Sequence, residues 1–238
     1  MATLQASIRQ LSDWAYAERA SPITRLRGSR MREMVRRVGL PEGARVIDLG
    51  GTPHLWASFD HTFDVTLVNV PPRPGEAAPE AAMRVVHADA CDLARLFEDE
   101  SFDLAFSNSV IEHVGGPPRR RAFAGEARRL GRAYWVQTPS DHFPIEAHTG
   151  VPFYFSLPGP IRASLHRRWA AELPDWYEMI AGTDVVTRAE MTRLFPDAEV
   201  YTERILGLEK SYSFYRAYGE RHPGRSLGTG SKHRGTPG

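Results

Sequence analysis

Residues 45–56 read RVIDLGGTPHLW, and this stretch decides the fold. Val46 and Ile47 lead through Asp48 and Leu49 into Gly50 and Gly51: a short buried strand that runs into a glycine turn. A dinucleotide loop would continue with further glycines, which let a pyrophosphate approach a helix N-terminus. Here Thr52, Pro53 and His54 follow instead. The run looks like a strand entering a nucleotide-binding turn, but one that departs from the dinucleotide fingerprint after two glycines.

Working outward, four more strand-like runs appear. They are FDVTLVNV (63–70), MRVVHADA (83–90), SFDLAFSNS (101–109) and RAYWVQTPS (132–140). Helical stretches are expected between them at HLWASFD, LARLFED and PRRRAFAGEARRLG. Alternation of this kind predicts an α/β fold: a Rossmann-like, mostly parallel sheet with helices on both faces. Ligands of such sheets bind outside the carboxyl ends of the strands, where strand order reverses. Upstream, residues 4–38 read as one or two helices, the second opened by Pro22 and closed by Gly39 and Pro41. Its arginines (25, 27, 30, 32, 36 and 37) read as a solvated helix face beside a cleft.

After residue 140 the pattern changes. The run from His142 to Gly182 is rich in Pro, His and aromatics, with one helical piece around 161–172, and reads as an aromatic-rich lid insertion at about 141–185. A short helix and a C-terminal antiparallel hairpin follow. The expected division is N-terminal helices covering the cleft (1–40), the catalytic domain (41–220) and a Gly/Ser/Arg/Pro-rich disordered tail (221–238).

Composition limits the function classes. The 238 residues are 42% hydrophobic with a formal charge of +1, which favours a globular domain over a polyanion binder. All but Lys210 and Lys232 of the 30 basic residues are arginine. Cys91 stands alone, so no intrachain disulfide is possible and a reducing, cytoplasmic setting is expected. No apolar run reaches the ~18 residues of a membrane span.

Four segments, taken in order, resemble the class I S-adenosylmethionine-dependent methyltransferases, in particular their small type 11 branch. VIDLGG resembles the acid-plus-glycine loop, VTLVNV the second strand, HADACDL the adenine-contacting motif, and FDLAFSNSVIEHVG the fourth strand and its turn. The resemblance spans about 40–210 and implies S-adenosylmethionine as cofactor, with S-adenosylhomocysteine as product. It places Asp48, Gly50, Gly51 and Thr52 at the amino-acid end. Asn69, about 20 residues after Asp48, falls at the ribose in place of the usual acid, where an amide can both accept and donate. Asp89 and the Ala90 amide fall at the adenine, with an N-cap as the alternative role of Asp89. Ser107 and Asn108 face the methionine portion. Glu112 and His113 lie in the following turn, as braces or, for His113, as a catalytic group.

Methyl transfer to a hydroxyl needs a base. QTPSDHFPIEAHTG (137–150) supplies Asp141, His142, Glu146 and His148 at the cofactor end of the sheet. His142 or His148 is the expected base, oriented by Glu146; the same His142, Glu146 and His148 are the residues by which a divalent metal is possible, though none is predicted. Tyr154, Phe155, Trp169 and Trp176, with Arg162, His166, Arg167 and Arg168 among them, offer an acceptor pocket. The expected acceptor is a small-molecule hydroxyl, a sugar or short saccharide first, as in polysaccharide biosynthesis. An aromatic or fatty-acid acceptor, RNA, or a non-catalytic cofactor-binding scaffold are the alternatives. No membrane partner is expected, and the chain is expected to act as monomer or homodimer.

Overall fold

The structure is a computed structural model, and it describes residues 22–71, 83–144, 151, 154 and 157–220, with the backbone alone at 22–27, 175, 176 and 179. The first expected helix, the 221–238 tail, Glu146, His148 and Phe155 lie outside the described residues, as does the side chain of Trp176.

Five parallel strands follow the expected runs: β1 (Arg45–Leu49), β2 (Asp64–Asn69), β3 (Arg84–His87), β4 (Phe102–Asn108) and β5 (Gly131–Pro139). β6 (Glu199–Ile205) and β7 (Leu208–Arg216) form the terminal hairpin. Strand order is β3-β2-β1-β4-β5-β7-β6, with β7 antiparallel to both neighbours. The order reverses between β1 and β4, so the crevice falls at their carboxyl ends, where Gly50 begins.

Helices cover both faces, which is why Val46–Leu49 are all buried. On one face α1 (Pro22–Val38) brings Met31, Met34 and Val38 against Trp56, Trp135 and Tyr215. Gly39, at φ +69, ends α1 with its N–H on the Val35 carbonyl. On the other face α3 (Pro117–Leu130) and α6 (Arg188–Leu194) pack Phe123, Ala127, Leu130 and Met191 against Ile47, Tyr134 and Phe214. α3 passes into β5 without a loop. Only glycine fits at 131, since a Cβ there would lie 2.2 Å from the Ala133 carbonyl oxygen.

Three expected helices differ in extent. The one over 54–60 shrinks to α2 (Pro53–Trp56), where the Ser58 hydroxyl and amide both take the Leu55 carbonyl and end it. LARLFED is a single turn, with Phe97 N–H on Leu93 O, after which Arg129 captures the Phe97 carbonyl at 2.8 Å and holds the crossover taut. The lid helix is a pair: α4 (Gly159–Glu172) and α5 (Pro174–Ala181), broken by Pro174.

Candidate active site

The β1–α2 turn is a cradle around Asp48, which is fully buried. Its Oδ2 accepts from Trp56 Nε1–H at 2.7 Å, and its Oδ1 has no hydrogen-bond partner. Burial pushes this carboxyl up to about 7, against the opposing pull of the Trp56 bond. Gly51 lies directly on the carboxylate: a Cβ at 51 would sit 1.7 Å from Asp48 Oδ2. Gly50 holds φ +85, and a Cβ there would strike the Val110 side chain at 2.6 Å. Both glycines are thus required by geometry, and each leaves bare backbone at the crevice.

The other expected cofactor residues surround this cradle. Asn69 donates through Nδ2 to Gly51 O at 2.9 Å, which ties β2 to the loop and leaves its Oδ1 as an acceptor. Asp89 accepts from Cys91 N–H and, through both oxygens, from Arg119 Nη2 at 2.8 and 2.9 Å. The cap-like role is therefore present, and an adenine amine would share this carboxylate with Arg119. Ala90 lies beside it, half-buried against the core. Thr52 is exposed and makes no side-chain cap on α2. Ser107 is buried, its hydroxyl donating to Leu49 O, so it braces β4 against β1. Asn108 Oδ1 accepts from Arg30 Nη1 at 2.6 Å.

That arginine departs from the solvated-face reading of α1. Arg30 is 6% exposed and also donates to Gln137 Oε1 and Glu203 Oε2, so one guanidinium joins α1 to β4, β5 and β6 at the crevice. Its partners lie up to 173 residues away in the chain, so no local pattern could reveal it.

Beyond the Asn108–Gln137 pair opens a chamber of about 700 Å³. Glu112, Thr138 and Asp141 form its sheet side, while Arg162, His166 and Tyr154 form its lid side. Glu112 is 2% exposed and accepts from Thr138 Oγ1 at 3.1 Å, a bracing contact that also puts a carboxylate on the wall. His113 turns its Nδ1 to Thr183 Oγ1 at 3.0 Å and does not line the chamber. Of the expected base region, Asp141 lines the chamber, with a buried Oδ1 that has no hydrogen-bond partner. The His142 imidazole is 73% exposed, its Nε2 3.8 Å from Asp141 Oδ1. Tyr154 shares a hydrogen bond with His166 Nε2, and Trp169 stacks beside it, 3% exposed. Among the described residues no three metal-ligating side chains cluster.

Comparison with known proteins agrees with this geometry. Residues 49–133 match the methyltransferase domain family. An uncharacterized methyltransferase of Mycobacterium avium (strain 104) is 36% identical over 146 residues, 55% of this chain and 55% of that one. A second, from Mycobacterium tuberculosis (strain ATCC 25618 / H37Rv), is 31% identical over 127 residues, 49% of this chain and 50% of its own. The chain thus spans about half the length of the curated relatives it matches. A S-adenosylmethionine-dependent methyltransferase from Archaeoglobus fulgidus shares the fold at a TM-score of 0.54 and 12% identity, over 81% of this chain and 93% of that one. These matches are to a methyltransferase domain over residues 49–133 and to a methyltransferase fold, for which S-adenosylmethionine is the expected cofactor. The residues present fit that cofactor: bare backbone at Gly50 and Gly51, a buried Asp48 oxygen in need of a donor, and a free amide oxygen on Asn69.

Proposed function

We propose that this chain methylates a hydroxyl of a small molecule, a sugar or short saccharide first among acceptors, with Asp141 and His142 as a carboxylate–imidazole base. The observation that carries the reading is the chamber. It is large enough for a small acceptor and carries the Asp141 carboxylate on its wall, two residues past the end of β5. When bound, S-adenosylmethionine supplies a methyl carbon on a sulfonium that departs as a neutral thioether. The chain's own residues do the rest. Asn108, fixed by Arg30, and Asn69, fixed on Gly51, hold the cofactor end. Asp141 takes the hydroxyl proton and releases it once the thioether has left, with the solvent-exposed His142 imidazole 3.8 Å away. Tyr154 and Trp169 exclude water on the lid side.

The arginine clusters support a small acceptor over RNA. Arg119, Arg120, Arg128, Arg129 and Arg132 each face a carboxylate within 3.6 Å, so this stretch offers few uncommitted cations to phosphates. No helix among the described residues is long and apolar enough to cross a membrane; a cytoplasmic monomer or homodimer completes the proposal.

Asp141→Asn tests it. Loss of general-base assistance is expected to lower kcat about 100-fold or more, with S-adenosylhomocysteine affinity within about two-fold of wild type. Full activity in Asp141→Asn, and in His142→Ala, would remove the base assignment.

A further inference from the structure

The lid helix α4 carries its charges on an unusual side. Gly159, Arg162, Ala163, His166 and Arg167 follow helical i, i+3, i+4, i+7, i+8 spacing, and all five line the chamber. A helix over a core would present apolar residues on such a stripe, whereas α4 lines the chamber with the half-buried Arg162 and His166 and leaves Arg167 exposed at its edge. His166 is held by Tyr154, but Arg162 is not engaged as its neighbour is. Arg168, off the stripe, pairs with Glu172 at 2.9 Å. Arg162 forms no ion pair or hydrogen bond among the described residues, and its Nε is buried without a partner. The opposite wall is acidic, formed by Glu112, Asp141 and Asp184, and Asp184 is already paired with Arg120 at 2.8 Å. The chamber is therefore polarised from sheet to lid.

We propose that the acceptor is anionic: its carboxylate or phosphate is held by Arg162, with Arg167 at the mouth, and its hydroxyl is turned toward Asp141. This names the substrate class for the methyl transfer proposed above and rests on that reading. An arginine fork suits either anion, because both offer two oxygens to parallel N–H donors. His166, held by Tyr154, supplies a further polar contact along the same stripe.

Inorganic phosphate is the probe. It is titrated at constant ionic strength into the full chain loaded with S-adenosylhomocysteine, with calorimetric readout, for wild type, Arg162→Ala, Arg162→Gln and Arg168→Ala. Binding of S-adenosylhomocysteine itself is measured on the same samples. Saturable phosphate binding in wild type and Arg168→Ala, weakened at least ten-fold in folded Arg162→Ala or Arg162→Gln, is the expected result. Absence of saturable binding, or equal binding in the Arg162 variants, overturns the anion site and leaves the methyltransferase reading standing if S-adenosylhomocysteine still binds. Phosphate binding at Arg162 without S-adenosylhomocysteine binding would instead defeat the methyltransferase reading, and with it the acceptor role of the anion, while leaving the anion site itself.

Discussion

Asp48 concentrates the tension in this molecule. Its carboxyl titrates near 7 because burial disfavours the charged form more than the Trp56 bond favours it. The folded chain therefore retains a proton that the unfolded chain loses near 3.8, so between these values the native state binds more protons. This group's contribution to stability is accordingly greatest below about pH 4, declines as pH rises to about 7, and is flat beyond, a total of about 4 kcal/mol. Asp48→Asn keeps an acceptor for Trp56 and removes the buried charge. It is expected to raise the melting temperature at pH 8 by several degrees while weakening S-adenosylhomocysteine at least ten-fold, as calorimetry and a melt on the same sample would read. Trp56→Phe removes the bond that lowers the carboxyl, so the Asp48 titration should move upward, a shift measurable by carboxyl NMR. At Gly51 the Cβ clash with Asp48 predicts that Gly51→Ala loses cofactor binding outright.

Among the elements, α1 and the β6–β7 hairpin are joined by the buried Arg30–Glu203 pair, 6% and 8% exposed at their side chains. Removing Arg30 leaves Glu203 with only the Ser211 hydroxyl at 2.9 Å and Lys210 at 3.8 Å: Arg30→Met should cost about 3 kcal/mol, and the double variant Arg30→Met/Glu203→Leu should recover part of it. Denaturant unfolding of the wild type and the two variants checks this. The strands were legible in the sequence because β-branched runs between Pro and Gly leave few alternatives, and Val46–Leu49 or Val65–Val68 carry that signal themselves. The same holds for Pro22 and Gly39 at the two ends of α1. LARLFED was not legible, since its fate is set by Arg129 from another element capturing the Phe97 carbonyl. In the site, Gly50, Gly51 and Asp48 were readable as a motif, but the chamber was not. Arg162 and His166 come from α4, whereas Glu112 and Asp141 follow β4 and β5, and only tertiary packing brings the two walls together.

Over the whole molecule, a +1 chain should bind S-adenosylhomocysteine, a ligand without net charge at neutral pH, with little dependence on salt. A ligand bound only by the folded state should also stabilise it, by about 2.7 kcal/mol at one hundred times its dissociation constant. The central claim is that the turn after β1 holds S-adenosylmethionine. Its most direct test is titration calorimetry of S-adenosylhomocysteine into the full chain, with NADH as competitor. The account predicts one saturable site per chain, unaffected by NADH and lost in Gly51→Ala. No heat from well-folded protein, or displacement by NADH, would contradict it.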